Sequence, residues 1–270
     1  MAIENFKPTL WETALAKNFH ENSCVSLITT PPVEKRGDKV IFNRVQNGTW
    51  KDYDASKGIT WDSVSTTKAE LTFPKQSYYA FMVEDVDACQ TATDVLGAVT
   101  EEQALCLAEK IDNEVINFIS ENVAEENIIG AESPVTITKL NAWDTLVDLN
   151  TMANKKKIPV SGRYFIVSPT FLGALKKDER FKYNYEISSN GMVTGLKVDG
   201  NTLIVKASFS DEEVLLTHKS ATGFGTQLDG HTEAMRLENH FAEGVRGLAK
   251  YGYTKLRDAD GAFKAKISIT

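Results

Sequence analysis

The pattern of apolar and polar positions predicts both helices and strands in the first half of the chain. Residues 39–45 (KVIFNRV) and 69–74 (AELTFP) favour the two legs of a β-hairpin, because both are short runs rich in β-branched or aromatic side chains. Residues 78–87 (YYAFMVEDVD) predict a buried strand. Apolar side chains then recur at helical spacing, which predicts a long helix over 101–122 with Thr100 as its N-cap.

Strands and helices are predicted to alternate beyond a boundary marked by Gly130 and Pro134. Asn141 is positioned to cap a helix that ends near residue 153. The run GRYFIVSP then predicts a strand that turns at Ser168 into a helix beginning with Pro169, since proline suits the first helical position. This half therefore reads as a second unit of mixed α and β structure.

The last third of the chain combines a tight turn, a predicted helix and two predicted strands. Asp199 and Gly200 indicate a two-residue hairpin turn. Residues 232–250 carry an apolar stripe at helical spacing, which predicts a returning helix. The stripe consists of Ala234, Leu237, Phe241, Val245 and Leu248. Residues 253–257 and 262–269 are predicted to pair as strands across the DADG turn.

Residues 47–67 (NGTWKDYDASKGITWDSVSTT) form the predicted tip between the hairpin legs and show neither helical nor alternating periodicity. Trp50 and Trp61 nevertheless lie in this polar segment. A connection of this length is either functional or disordered in most compact domains. Two interpretations remain open: the tryptophans bury against another copy of the chain, or they cluster to staple their own hairpin.

Composition and charge restrict the function classes. The 270-residue chain has a formal net charge of -7, which argues against a protein that mainly grips nucleic-acid phosphates. The cysteines Cys24, Cys89 and Cys106 are far apart and lack metal-ligand spacing, so we expect reduced thiols that are mainly buried. No apolar run approaches the ~20 residues of a membrane span, so we expect neither a signal peptide nor a membrane segment.

Fragments of catalytic and metal-binding motifs occur, but none is complete. Residues 223–230 (GFGTQLDG) match neither the dinucleotide fingerprint nor the P-loop, and residues 258–261 (DADG) lack the later ligands of a calcium loop. His231 and His240 fall on different faces of the predicted helix and cannot share a metal there. We predict no catalytic residue, no cofactor and no metal site.

The order of the predicted parts resembles that of the major capsid proteins of tailed bacteriophages, which have the Hong Kong 97 fold. That order is an extended arm, a long hairpin with a polar tip, a spine helix, a mixed α/β unit and a returning helix. The runs GRYFIVSPTFLGALKKDERF in the middle and GVRGLAKYGYTKLRDADG near the end carry the resemblance. It covers nearly the whole chain and implies an α+β capsid fold.

The resemblance implies a division into five segments. Residues 1–38 correspond to an N-terminal arm and residues 39–76 to an extended β-hairpin loop. Residues 77–130 and 231–270 would form a peripheral domain that contains the spine helix, and residues 131–230 an axial domain. The implied function is mechanical, because such chains assemble as pentamers and hexamers into an icosahedral shell around packaged viral DNA.

Several expectations about partners follow from the same resemblance. The subunit interface is expected to include Trp11, Phe19, Trp50, Tyr53 and Trp61. The chain would reside in the virion after assembly in the host cytoplasm, contact packaged DNA non-specifically, and work with a portal and a separate scaffolding protein. We expect neither a fused scaffolding segment nor a Lys–Asn cross-link. An encapsulin-type compartment shell and an enzyme with an unrecognised site remain alternatives.

Overall fold

The described part of the chain forms α-helices and β-strands in mixed order. A computed structural model describes residues 21, 23–32, 39–45, 48, 50–53, 56, 58–59, 61–63, 66–85, 95–138, 140–178 and 197–269. The helices are α1 (Val25–Ile28), α2 (Val95–Glu121), α3 (Ala142–Lys155) and α4 (Pro169–Lys176). The strands are β1 (Lys39–Val45), β2 (Thr66–Thr72), β3 (Lys75–Glu84), β4 (Ile128–Ile129), β5 (Val135–Ile137), β6 (Arg163–Val167), β7 (Lys197–Val198), β8 (Asn201–Val205), β9 (Glu213–His218), β10 (Thr222–Arg236), β11 (Ala242–Lys255) and β12 (Ala262–Ile269).

A seven-stranded sheet forms the centre of the fold, with the order β4-β12-β9-β6-β8-β7 and β5 also pairing with β12. The inner strand β6 is apolar on both faces. In β6, Phe165 and Val167 pack with α3 and α4, whereas Ile166 packs with α1 and α2. Because successive strand residues point to opposite faces, a sheet covered on both sides requires such continuous apolar runs.

Two local signals in this unit are confirmed. The Ser168 hydroxyl accepts a hydrogen bond from the Phe171 amide at 3.2 Å and caps α4, which begins at Pro169. Asp199 and Gly200 have φ angles of 51° and 81° and join the antiparallel strands β7 and β8. These positive φ values match the tight turn that an Asp-Gly pair favours.

The α3 helix lies where it was predicted, but its cap differs. Asn141 precedes the helix without capping it by its side chain. Instead, the Asn141 side-chain oxygen accepts a hydrogen bond from the Thr138 amide at 2.7 Å. The amide side chain therefore stabilises the turn that leads into α3 rather than the helix end itself.

The predicted spine helix exists, but its start was wrong. The α2 helix begins at Val95 and ends at Glu121, so Thr100 lies inside it rather than at its N-cap. The Thr100–Gln103 spacing matches a capping box. Such a local pattern does not fix the start of a helix when the residues before it are helical as well. With 27 residues, α2 is about 40 Å long.

The returning helix predicted over 232–250 is wrong, because this region forms the antiparallel strands β10 and β11. β11 also pairs with β3, which gives a three-stranded sheet of order β10-β11-β3. Gly247 in β11 faces the ring of Tyr79 in β3, and a Cβ atom there would lie 2.2 Å from a ring carbon. Glycines at such sites favour close strand packing and disfavour a helix.

The predicted pairing of 253–257 with 262–269 is also wrong. β12 pairs with β9, β4 and β5 and belongs to the central sheet. Gly130, with a φ angle of 71°, stands between β4 and β5, which both lie beside β12. Where the peripheral unit ends and the axial unit begins stays a prediction.

The second part of the segment predicted as an N-terminal arm (1–38) contributes to the core of the subunit. Cys24, Val25 and Ile28 are buried against α2 and the central sheet. Thr30 then pairs with the start of β10, where the Phe224 amide donates to the Thr30 carbonyl oxygen at 3.2 Å. Residues 23–32 thus belong to the body of the subunit, whereas 1–20 lie outside the described residues.

Candidate subunit interface

The tip of the β1–β2 hairpin presents large apolar side chains to solvent. Trp50 is fully exposed, and Trp61 and Tyr53 are 90% and 73% exposed. Ile59 beside them is exposed as well. Indole rings with this exposure cannot pack on one another or on the hairpin, so the alternative of a self-stapling tryptophan cluster is wrong.

An ion pair organises the tip and was not predicted. The Lys51 ammonium donates to the Asp62 carboxylate at 2.5 Å. Lys51 follows Trp50 and Asp62 follows Trp61, so this pair holds together the two segments that carry the indoles. Both charged groups are about half exposed, and a surface pair of this kind contributes at most about 1 kcal/mol. The pair therefore contributes little to the stability of the subunit.

The base of the same hairpin is bound firmly to the body. The first hairpin leg lies at the predicted residues, whereas the second is Thr66–Thr72 rather than 69–74, with Lys39 opposite Thr72 and Val45 opposite Thr66. Leu71 and Phe73 are buried. A Cβ atom on Gly252 would lie 1.9 Å from the Thr72 carbonyl oxygen, so only glycine allows the chain to approach β11 so closely.

The remaining predicted interface residues could not be placed. Trp11 and Phe19 lie outside the described residues. The other three, Trp50, Tyr53 and Trp61, all lie at the tip of the β1–β2 hairpin. Their role in a subunit contact stays a prediction.

A second apolar surface was missed by the sequence analysis. In β3, every second residue from Tyr78 to Glu84 is exposed, and Tyr78 and Met82 are large and apolar. Leu248 in β11 lies opposite Tyr78 and is partly exposed. Phe241, between β10 and β11, is also exposed. Because all residues from Tyr78 to Val83 are apolar, the sequence does not distinguish the exposed face, and the prediction of a buried strand over 78–87 is wrong for this face.

A buried ion pair fixes the chain where residues 21–24 meet α2. The Lys206 ammonium donates to the Asp112 carboxylate at 2.7 Å, and the two side chains are only 2% and 0% exposed. The other Asp112 oxygen accepts from the Ser23 hydroxyl, and the Cys24 amide donates to the same carboxylate. Breaking such a buried pair typically costs about 3–5 kcal/mol.

The ionisation of this cluster follows from its surroundings. Burial by itself lowers the pKa of Lys206, but Asp112 and Glu21 more than offset this effect and the pKa is raised. Burial raises the pKa of the Cys24 thiol to about 12, and the neighbouring Asp112 charge adds to the shift. Lys206 therefore stays charged and Cys24 stays a neutral thiol at physiological pH.

The cysteines differ from one another in exposure. Cys24 is buried, as expected, but Cys106 on α2 is exposed, which contradicts the expectation of a buried side chain. Burial, followed by the charges of Glu102 and Glu109, raises the pKa of the Cys106 thiol. Cys89 lies outside the described residues.

Within the described ranges, no group of three or more His, Cys, Asp or Glu side chains is arranged to hold a metal ion. No helix among these residues is both long and apolar enough to cross a membrane.

Comparison with known proteins gives a structural match only. No family model and no curated protein matches the sequence. A structure from Mycobacterium phage Che8 superposes with a TM-score of 0.76 at 22% identity, covering 97% of this chain and 98% of that chain. The chain has the fold of phage capsid structures. The predicted α+β capsid fold is thereby confirmed.

Further capsid structures agree over nearly the full length. The capsid structure of cyanophage P-SCSP1u gives a TM-score of 0.74 at 15% identity, covering 100% of this chain and 95% of that chain. The capsid of Ralstonia phage GP4 gives 0.65 at 13% identity, covering 99% and 98%. Because the identities are this low, the shared feature is the fold rather than any particular residue.

Proposed function

We propose that this chain is a major capsid protein. Copies of it form pentamers and hexamers that close into an icosahedral shell around packaged viral DNA. The observation that carries the proposal is the agreement in fold with phage capsids over almost the whole length of both chains. The role is structural rather than catalytic, and its location is the virion after assembly in the host cytoplasm.

The exposed hairpin tip supports this function independently. Exposed aromatic side chains in polar surroundings are typical anchors of protein interfaces. The subunit has its own core on both faces of the central sheet, so the tip is not needed to complete the fold. In this proposal the tip of the extended loop (39–76) crosses to a neighbouring copy, as do Trp11 and Phe19 of the arm.

Partners other than the chain itself would act during assembly. A separate scaffolding protein and a portal would guide shell closure. Contact with packaged DNA is weak and sequence-independent, because the net charge of -7 leaves only local Lys and Arg side chains to neutralise phosphates. Raising the salt concentration should therefore release any bound DNA.

Assembly is the direct test. Purified protein is examined by light scattering and negative-stain electron microscopy over a range of protein and salt concentrations, with and without a co-expressed scaffolding protein. Rings, tubes or shells are expected. A species that stays monomeric under every condition contradicts the proposal. Particles from an infected host that contain enzyme cargo instead of DNA favour the encapsulin alternative.

A further inference from the structure

Among the ion pairs of the described residues, Lys206–Asp112 is the most deeply buried. Asp112 lies in the second half of α2, and Lys206 directly follows β8. The ammonium lies 2.7 Å from the carboxylate, and the two side chains are 2% and 0% exposed. Removing two charges from water is costly. A reaction that eliminates both charges is therefore favoured here more than it is at the protein surface.

Both members of the pair are held in fixed positions. The Lys206 amide donates to the Val167 carbonyl oxygen at 3.0 Å, and the Lys206 carbonyl oxygen accepts from the Phe209 amide at 3.2 Å. Asp112 is part of a long helix, and the nearby Val115 belongs with Phe209 to one buried apolar cluster. Groups held together in this way react far faster than the same groups free in solution.

The Asp112 carboxylate accepts two further hydrogen bonds. The Ser23 hydroxyl donates to Oδ1 at 2.7 Å, and the Cys24 amide donates to Oδ2 at 2.9 Å. Lys206 also donates to Oδ2, so Ser23 holds the oxygen that the ammonium does not contact. A donor in this place stabilises the negative charge that develops on a carboxyl oxygen when a nucleophile adds to the carbon.

A second carboxylate lies beside the pair. Glu21 Oε2 is 3.6 Å from Lys206 Nζ, and Glu21 Oε1 accepts from the Ala207 amide at 2.6 Å. The Glu21 side chain is 33% exposed, so it lies between the buried pair and water. A carboxylate at this position can take a proton from the amine after a small approach to hydrogen-bond distance.

We propose that Lys206 and Asp112 condense into an isopeptide bond within one subunit. The ammonium first gives a proton to Asp112 Oδ2, because only the neutral amine is a nucleophile. Nζ then adds to Cγ, and the Ser23 hydroxyl stabilises the charge on Oδ1. Glu21 takes a second proton from Nζ and passes it to Oδ2, the Cγ–Oδ2 bond breaks, and one water leaves. The nitrogen loses two protons, the departing oxygen gains both, and nothing is oxidised or reduced.

The first proton transfer sets the rate. Burial lowers the pKa of Lys206, but the hydrogen bond and charge of Asp112, together with Glu21, outweigh this effect and raise it. The pair therefore starts as ions, and the neutral amine is its minor form. We expect the bond to form slowly after folding rather than during it.

Another lysine–carboxylate pair serves as an internal comparison. Lys264 Nζ lies 3.0 Å from Glu213, and these side chains are 10% and 24% exposed. The same ammonium donates to the Ser120 hydroxyl at 3.2 Å. A hydroxyl does not take up a proton as the Glu21 carboxylate can, and the pair is less buried. We therefore expect no bond between Lys264 and Glu213.

Mass spectrometry under denaturing conditions is the direct test. After a day of incubation, the purified protein should be lighter than its sequence by the mass of one water. Trypsin does not cleave after an acylated lysine, so digestion should give a branched peptide that joins residues 111–139 to 198–219. Lys206→Arg keeps the positive charge but cannot form the amide, so its mass should match its sequence. An unchanged parent mass without the branched peptide overturns the proposal.

The branched peptide separates this bond from another loss of water. Aspartyl-glycine sequences such as Asp199–Gly200 can cyclise to a succinimide, which also releases one water but joins no distant segments. A water loss that persists in Lys206→Arg, or one found without the branched peptide, overturns the proposal. A branched peptide that contains Lys264 instead of Lys206 does so as well.

The bond should also stabilise the subunit, because it joins positions 94 residues apart and restricts the unfolded chain as a disulfide does. Freshly synthesised parent protein, before the bond forms, is the matched reference. The incubated protein should melt roughly 10 °C higher, given the size of such loop-closure effects. Equal melting temperatures for the bonded and unbonded forms contradict this expected restriction. The proposal concerns a single subunit, so it stands or falls independently of the capsid function.

Glu21→Gln tests the second proton transfer. Glutamine can still accept from the Ala207 amide, but it cannot take up a proton. The fraction of branched peptide is measured at fixed times after cell-free synthesis of the parent and the variant. General acid–base catalysis contributes about 10²–10⁴-fold, so the variant should form the bond at least about a hundredfold more slowly. Formation at the parental rate would show that Glu21 is not the proton acceptor.

Discussion

The two ends of the β1–β2 hairpin carry similar side chains in opposite surroundings. At the base, Leu71 and Phe73 are buried against the body of the subunit. At the tip, Trp50 and Trp61 are exposed. The size of the apolar side chain cannot explain this contrast, because the exposed residues are as large as the buried ones. The difference lies in the neighbouring backbone, which approaches the base closely through glycines such as Gly252.

This contrast separates residues that stabilise the subunit from residues that remain available for a second copy. Substitutions at the base should lower the free energy of unfolding of the isolated subunit. Substitutions at the tip should leave that free energy unchanged and weaken assembly. The four predictions below test this separation in order of decreasing effect.

Phe73→Ala should have the largest effect. Removing a buried phenylalanine side chain typically costs about 3–5 kcal/mol of unfolding free energy, because it leaves a cavity as well as losing apolar burial. Chemical denaturation of the isolated subunit measures the change. Tyr53→Ala at the tip is the matched control and should leave the denaturation midpoint in place. Equal losses for both variants would mean that the tip belongs to the subunit core.

Gly252→Ala should destabilise the subunit by about 3 kcal/mol, at the upper end of typical overpacking effects. The new methyl group would lie 1.9 Å from the Thr72 carbonyl oxygen, so the hairpin base must shift away from β11. Gly48→Ala is the control, since nothing lies within 4 Å of the added Cβ atom there. A melting temperature for Gly252→Ala that equals that of the parent protein would contradict the close approach.

The double variant Trp50→Ser/Trp61→Ser should act on assembly alone. Interface tryptophans commonly lose ~2 kcal/mol or more on truncation, and a closed shell repeats that loss at every copy. Circular dichroism and melting of the isolated subunit should stay unchanged, while light scattering and electron microscopy should show failed or fragile particles. A large drop in the melting temperature of the monomer would place the tryptophans in their own subunit's core.

Arg44→Gln should have the smallest effect. Arg44 pairs with Asp260 at 3.3 Å and links the hairpin to the turn before β12. Both side chains are 41% exposed, so the pair should contribute only about 0.2–1 kcal/mol. The difference in denaturation midpoint from the parent should shrink further at high salt, because ions screen exposed charges. A loss that is large and independent of salt would show that Arg44 acts through packing.

The tip was found from the sequence because tryptophan in a run of Gly, Ser, Thr and Asp has no apolar neighbours to pack on. Its organising ion pair was missed, since Lys51 and Asp62 are eleven residues apart and only the fold of the tip brings them together.

The β10–β11 hairpin shows how periodicity can mislead. Ala234, Leu237 and Phe241 have helical spacing, but Phe241 is exposed between the strands and Leu237 packs over Gly244. The glycines of β11 at 244, 247 and 252 were an available signal against a helix. Gly247 faces Tyr79 of strand β3, which lies more than 150 residues earlier in the chain, and Gly252 faces Thr72 at the end of β2.

By itself, the sequence determined the elements whose cause is local. The Ser168–Pro169 helix start and the Asp199–Gly200 turn depend on hydrogen bonds and φ angles within a few residues, so no distant partner was needed to predict them. The tertiary structure alone decided that 232–250 forms strands, that β12 joins the central sheet, and which apolar residues stay uncovered. These outcomes depend on burial against distant segments, and side-chain periodicity along one segment does not specify what will lie opposite it.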